Sequence, residues 1–450
     1  MPRLHQGPFM ILRRLAVALA FAAALPSARA ADLLTIYRDA RVSDPVYQAA
    51  RQQYAATREK LPQAVAGYLP LVSGTASVFR NEVEREIASD QYFTTRTYAV
   101  TLSQPVVRVQ NWIAISQAEQ QLLQSEAVLA NAQQDLALRV AQAYFDVLLA
   151  RDNVALSESQ KAAISEQLAQ AKRNFEVGTA TIVDTLEAQA RYDQATAKEI
   201  SDKNDLEVKM RALEVLVGTL PPGLVPLAEP LVLAPPQPND VEAWVRAASD
   251  VSYNIAIARA SYEFLRQEVV RQRAAHLPTL DLSGSATRSE NPATGVAGVV
   301  GPNATTYSGG LVLSVPIFSG GLIQSRVREA VANREKAAQD LEGAVRAAAQ
   351  SVRTNFVAVT NGIAQVVALE QALTSTQSQL ESTILGRDVG VRTSVDVLNA
   401  QQQVYQTRRD LQQARYNYLL ATLRLKAAAG LLTEDDIALV NRTLALTTPR

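Results

Sequence analysis

From Trp112 to Phe175 the chain runs 64 residues without a proline or glycine, and its apolar positions recur every seven residues. Ile115, Leu122, Leu129 and Leu136 mark the line, with Ala118, Ser125 and Ala132 three positions after the first three. That spacing is a coiled-coil seam with small residues on one side, where helices can approach closely. Val331, Ala338, Val345, Val352, Val359 and Val366 keep the same period later. A helix of this length extends about 95 Å, whereas globular helices average about 11–12 residues. The remaining faces are rich in Gln, Ala and Ser with paired charges, which suits water and not lipid. Each predicted long helix stops near Gly178 or Gly390, and a second follows to Gly218 or Gly430. Glycine is the usual residue just past a helix end, so the pattern predicts two antiparallel helical hairpins with glycine-containing tips.

Elsewhere the period is two. Leu280, Leu282, Gly284 and Ala286 alternate with Asp281, Ser283, Ser285 and Thr287. Tyr307, Gly309, Leu311, Leu313 and Val315 alternate with Thr306, Ser308, Gly310, Val312 and Ser314. The stretches Leu69–Arg80 and Tyr92–Pro105 repeat this less cleanly. One apolar face and one Ser/Thr face over about ten residues is the pattern of a transmembrane β-strand. Tyr92, Tyr98 and Tyr307 suit an interfacial aromatic belt. Four strands cannot close a barrel, since the smallest single-chain barrels have about 8. An open edge in lipid would leave backbone groups unpaired. Several copies must therefore share one barrel, and two, three or four would all close it.

The chain is one design written twice. Val177-Gly178-Thr179-Ala180-Thr181-Ile182-Val183-Asp184 reappears 212 residues later as Val389-Gly390-Val391-Arg392-Thr393-Ser394-Val395-Asp396. At the same offset Gly218 falls on Gly430, and Val140, Val147 and Val154 fall on Val352, Val359 and Val366. The expected organisation is a first repeat over 31–218, a proline-rich linker over 219–239, a second repeat over 240–430 and a tail over 431–450. Each repeat holds a helix, a β-hairpin (about 69–105 and 278–316) and a long helical hairpin. Pro221, Pro222, Pro226, Pro230, Pro235, Pro236 and Pro238 exclude helix or central strand in the linker.

Ahead of all this lie Arg3, Arg13 and Arg14, the apolar run Leu15 to Leu25, and Ala28-Arg29-Ala30. This order predicts a secretory signal peptide over 1–30. Its removal would take four basic residues and no acid, moving the net charge from zero to −4. No later stretch of about 18 apolar residues is expected, so membrane insertion would rest on strands and not on a helix. Charge balance argues against nucleic acid as a partner. With no cysteine and only His5 and His276, thiolate and histidine chemistry have nothing to work with, and no Ser-His-acid, phosphate-loop or metal constellation occurs. The chain is expected to be no enzyme and to carry no cofactor. His276 should mark a helix–barrel junction, Trp112 and Trp244 should be packing anchors, and Asp240 should cap a helix.

The signal peptide, the doubled hairpin-plus-coil design and the tips Val-Gly-x-x-Thr-x-Val-Asp-x-Leu resemble the TolC family of outer-membrane channels. Arg139-Val140-Ala141-Gln142-Ala143-Tyr144-Phe145 and Ala414-Arg415-Tyr416-Asn417-Tyr418-Leu419 are similar to that family too. The resemblance runs from about Asp32 to about Leu439. It implies a mostly α protein with a transmembrane β-barrel, closed as a homotrimer into a twelve-stranded barrel in the outer membrane and an α-helical tunnel through the periplasm. It further implies an exit duct for type I secretion or drug efflux. A periplasmic adaptor and an inner-membrane ABC or proton-driven transporter would dock at the helix tips. A lipidated efflux branch carries an N-terminal cysteine, which is missing here. The alternative from the residues alone is a soluble periplasmic coiled-coil adaptor or scaffold, for which one hairpin and no long alternating strands would be expected.

The tips carry the candidate site. Asp184 and Asp396 each stand three residues after a threonine, a capping-box spacing in which an acid also suits the helix dipole. The resemblance implies more: acids at Asp396 and one turn later line the periplasmic aperture, and Arg392 and Asp184 match two members of the lock that closes it. Two positions depart from the family pattern: Arg387 stands where a tyrosine is expected, and Asn399 where the second acid is expected. Arg387 is therefore expected to offer Asp184 a charged partner. Gly178 and Gly390 are expected to form the turns.

Overall fold

The computed structural model describes residues 31–84, 91–179, 181–221, 223–290 and 303–444. The signal peptide and the last six residues of the tail lie outside the described residues. Three short helices come first, α1 (Leu33–Ser43), α2 (Pro45–Arg58) and α3 (Lys60–Ala66), followed by strands β1 (Leu71–Val83) and β2 (Gln91–Val107). Then come α4 (Val109–Glu176) and α5 (Ile182–Val217), the first long hairpin. The second half repeats the order with α6 (Val241–Val251), α7 (Tyr253–Arg273), β3 (Thr279–Glu290), β4 (Asn303–Ser314), α8 (Leu322–Asp388) and α9 (Ser394–Ala428). A last helix, α10, covers Glu434–Asn441.

At 68 and 67 residues, α4 and α8 are each about 100 Å long. Short α7 lies between them and α6 lies on α8, so the layer stays continuous where α5 and α9 have ended. Val352, Val359 and Val366 are fully buried along the expected seam of α8, while Val331 and Val345 stay half-exposed. Val352 and Val359 share a core with Trp244 and Ala248 of α6, and Val366 packs against Leu233 of the linker; along the earlier stretch, beside α7, it is Ala330 and Ala337 that are buried. Contrary to expectation, α8 does contain an 18-residue stretch of mean hydropathy 1.3, long and apolar enough by composition to cross a membrane. It belongs to a helix more than three times a membrane span, and little of it is buried within one chain.

The deepest core lies at mid-height of the helices. Leu33, Ile36 and Tyr37 of α1 join Tyr144, Phe145 and Tyr416 there, with Phe145 edge-on to Tyr144 at 5.9 Å and tilted against Tyr416 at 5.7 Å. The proline-rich linker is laced over this core. Tyr418 Oη donates to Ala234 O and accepts from Ala234 N, both at 2.9 Å, and buried Trp244 donates Nε1–H to Pro238 O at 2.8 Å. Asp240 caps α6 as expected. Arg139 of α4 grips Asp44 through two bonds, at 2.9 and 3.1 Å, and holds that buried carboxyl below its usual range. Trp112 corrects the expectation of an anchor, because it is half-exposed and leans on Tyr68 at 6.3 Å. With exposed Phe318 it marks the sheet end nearest the helices. His276 sits in the single turn joining α7 to β3.

The strands form one antiparallel sheet in the order β1-β2-β3-β4. Leu102 lies opposite Val72 and Gly284, and Gly284 opposite Gly309. One face therefore collects Val72, Val100, Leu102, Leu282, Leu311 and Leu313, together with Tyr92, Tyr98 and Tyr307. The other face is mostly hydroxyls, which bond across strands: Ser73 to Thr101 at 2.7 Å and Ser285 to Ser308 at 2.8 Å. Its one charge among the described strand residues is Asp281, held by Arg108 at 2.8 and 3.0 Å where the sheet meets α4.

Gly430 ends α9 with φ +75°, and a Cβ there would lie 2.7 Å from Val251 O. Gly178 has φ +78° with open space around it. Gly178→Ala is expected to cost about 1–2 kcal/mol from the left-handed backbone alone. Gly430→Ala should cost clearly more, read as the larger fall in Tm followed by helical circular dichroism.

Candidate periplasmic aperture

The two hairpin tips are built alike, by a glycine stop followed by a capping-box start. After Val177, Gly178 N–H donates to Phe175 O at 3.0 Å and Thr179 N–H to Asn174 O at 2.8 Å. After Val389, Gly390 N–H donates to Arg387 O at 2.9 Å and Val391 N–H to Gly386 O at 2.8 Å. This pair of bonds is the Schellman motif, which satisfies the last free carbonyls and needs a left-handed residue where the glycine stands. Gly178 and Gly390 stand at that position, with φ +78° and +80°. Gly386 adds a local constraint: its carbonyl also accepts from Arg392 N–H at 3.0 Å, and a Cβ on it would meet Arg392 Cγ at 2.8 Å. The Arg392 side chain lies across that glycine.

Thr181 caps α5 and Thr393 caps α9. Asp184 Oδ2 accepts from Thr181 N at 2.9 Å and from its hydroxyl at 2.7 Å, while Asp184 N–H donates back to Thr181 Oγ1 at 3.3 Å. Asp396 repeats this with Thr393, at 2.9, 3.0 and 3.2 Å. Both carboxyls lie below the ordinary value of 3.8 because they accept these bonds, the Thr181 hydroxyl counting most for Asp184 and the Thr393 backbone for Asp396. The capping contribution is therefore complete above pH 3.8 and is lost as the pH falls through the depressed values.

Asp184, Arg387 and Arg392 line one cleft of about 430 Å³ between the two tips, with Glu187 and Asp388. The expected Arg387–Asp184 pair does not form. Arg387 donates Nε–H and Nη2–H to Asp388 Oδ1, at 3.0 and 2.7 Å, and Asp184 is already engaged by its cap. The neighbouring acid wins because it shares the last turn of α8. Asn399 stands outside the cleft, where its side-chain oxygen accepts from Arg191 Nη2 of α5 at 3.0 Å. Arg191 Nη1 reaches Gln402 at 3.0 Å, and Gln167 of α4 reaches Gln401 at 2.8 Å. Sequence reading missed Asp388 and Arg191. Adjacency to Arg387 could have exposed the first, whereas the second faces Asn399 only once the hairpins are packed.

The model for outer membrane efflux proteins matches residues 36–219 and 244–431. The chain belongs to the outer membrane efflux protein family. It is 32% identical to the outer membrane protein TolC of Vibrio cholerae over 92% of this chain and 94% of that protein. It is also 32% identical to the alkaline protease secretion protein AprF of Pseudomonas aeruginosa, over 91% and 87%. Among solved structures it superposes on the outer membrane protein VceC of Vibrio cholerae with a TM-score of 0.74 at 20% identity, covering 88% of this chain and 96% of that one. The Campylobacter jejuni outer membrane channel CmeC gives 0.77 at 16% identity, over 93% and 90%. Membership places the protein in the outer membrane and its helices in the periplasm. The family is one of channels, and among the described residues no group of His, Asp or Glu could hold a metal.

Replacing Thr181 or Thr393 by Ala should cost about 1 kcal/mol of cap each, loosening the tips without unfolding the mid-height core. A spin label at exposed Val391 should gain mobility in Thr393→Ala at neutral pH. In the unmodified chain it should do so only below about pH 3.8.

Proposed function

We propose that three copies of this chain form the exit duct of a tripartite export machine. Their twelve strands would close a barrel in the outer membrane, and their helical hairpins would continue it as a tube toward the inner membrane. One observation carries this: a single chain presents a four-stranded membrane sheet with two open edges, β1 and β4, beside hairpins about 100 Å long whose seams are only partly covered. Neither layer closes alone, and both close on one rotation axis. The same features oppose the adaptor reading, which needs neither the sheet nor a second hairpin. A periplasmic adaptor and an inner-membrane transporter, ABC or proton-driven, would engage the tips. Relatives at 29% and 32% identity carry names for protease secretion, against 27% for the efflux protein BepC and 24% for TtgC and ArpC, which favours polypeptide cargo. The missing cysteine agrees, because it removes the lipid attachment of the efflux branch.

In this reading Asp396 forms a ring of three carboxylates at the aperture that draws cations, while Asn399 leaves the second ring uncharged. The closed state is held within each copy by Arg191 on Asn399 and Gln402 and by Arg392 lying over Gly386, in place of an Arg387–Asp184 bond.

Single-channel recording of the purified protein in a planar bilayer tests this. Discrete cation-preferring steps are expected, with selectivity reduced in Asp396→Asn, which keeps the cap. Selectivity unchanged in that variant would remove the ring, and a soluble monomer that never inserts would remove the channel. Arg191→Ala should raise single-channel conductance without changing the strands.

A further inference from the structure

The sheet distributes its charges against expectation. Face assignment follows from the register: Arg96 lies opposite Val78 and Glu290, Arg288 opposite Tyr98 and Thr305, and Arg80 opposite Thr94. All three arginines therefore stand on the face of Val100, Leu102, Leu282 and Leu311, and not among the hydroxyls of the other face. Along the far half of β2 the exposed positions are Tyr92, Thr94, Arg96, Tyr98 and Val100, with half-buried residues between them; from Thr101 the order reverses. The continuous apolar row marks this face as the lipid-facing one of a membrane barrel. A shift of one residue would have turned every arginine into the watery interior. Instead the interior face keeps Asp281 alone among the described strand residues.

Their height matters equally. The ends of β1–β4 joined to helices lie at Leu71, Val107, Thr279 and Ser314, so the arginines occupy the opposite end, beyond the leucine and valine rows. Each step from Arg80 to Arg96 and from Arg96 to Arg288 is a diagonal cross-strand neighbour, a spacing of about 7–8 Å. Two acids share the face, and both are engaged: Glu290 by Arg288 at 3.2 Å, and Glu82 by the Tyr92 hydroxyl. Among the described residues neither Arg80 nor Arg96 has a carboxylate within ion-pair distance. Exposed Thr94, Asn303 and Thr305 lie between and beside them.

We propose that this row binds the headgroup of a phosphorylated glycolipid in the outer leaflet. Guanidinium matches phosphate through paired N–H bonds. The hydroxyl and amide side chains match sugar hydroxyls, and the adjoining apolar rows receive the acyl chains. The surface is continuous with the lipid-facing band, where nothing but lipid or another membrane protein can lie. The inference goes beyond the export function and stands whatever the cargo.

The test titrates the detergent-solubilised full-length protein with a bisphosphorylated glucosamine-disaccharide lipid, reading bound lipid by native mass spectrometry. The expected result is binding that falls at least about tenfold in the triple variant R80Q/R96Q/R288Q, the loss of one or more charged hydrogen bonds. The dephosphorylated lipid should bind the unmodified protein as weakly. Equal binding by the triple variant, or by the dephosphorylated lipid, overturns the proposal. Full competition by inorganic phosphate at equal concentration also overturns it, assigning the row to free anions. Single-channel conductance shows whether the variants still form channels, separating failure here from failure of the duct. If the triple variant forms none, R96Q alone decides by the same comparison.

Discussion

Backbone hydrogen bonds in lipid are the constraint from which the rest follows. A strand edge that faces hydrocarbon has no water to satisfy it, and each unpaired group costs several kcal/mol. A chain with four strands in one sheet has two such edges, running the length of β1 and β4. Closure with other copies is the available remedy, and it sets a rotation axis that the helices must share. The helices then need to be long, polar outside and weakly sealed within one copy, because their remaining neighbours lie across the same axis. The half-exposed seam at Val331 and Val345 and the complete burial of Val352, Val359 and Val366 are two parts of one pattern. The valine seam is fully buried where α6 and the linker cover it.

Much of this was legible in the residues. Long helices show themselves by a sustained period and by missing breakers, and their ends by glycines that must adopt positive φ. The strands were legible because one face must be apolar and the other need not be. What could not be read depends on which side chain outcompetes another in space. Arg387 shares a cleft with Asp184 and Asp388, and adjacency selects Asp388, while Asp184 is turned to its cap through Oδ2. Trp112 is half-exposed because its place is the membrane boundary, where a large amphipathic ring need not be enclosed. The apolar stretch of α8 was overlooked because its small and branched residues are spread along a helix far longer than a membrane span and interleaved with polar ones.

The repeat explains why the two tips share a backbone and differ in charge. Schellman stop and capping box recur at matching positions, because both solve the same problem of reversing a long helix within five residues. The side chains that the reversal does not use are free to diverge. Arg392 takes the place of Ala180, and Asn399 the place of Glu187, at the common offset of 212. One hairpin thereby gains a cation over Gly386 and loses an acid, and the aperture between them becomes asymmetric without any change in its frame.

Among the described strand residues the one charge on the hydroxyl face of the sheet is Asp281, and Arg108 is bonded to it, so these strands offer a cargo hydroxyls and little field. Discrimination by charge must then fall to the tips. There the candidate charges are also caps, and asparagine would cap a helix about as well as aspartate. Capping alone therefore does not require the negative charge at Asp396. The helix dipole accounts for a small, salt-screened preference within the first turn, whereas in the proposed trimer three such carboxylates would stand around one axis and act on every ion that passes. Capping makes the residue polar, and the proposed ring would supply the reason for it to be charged.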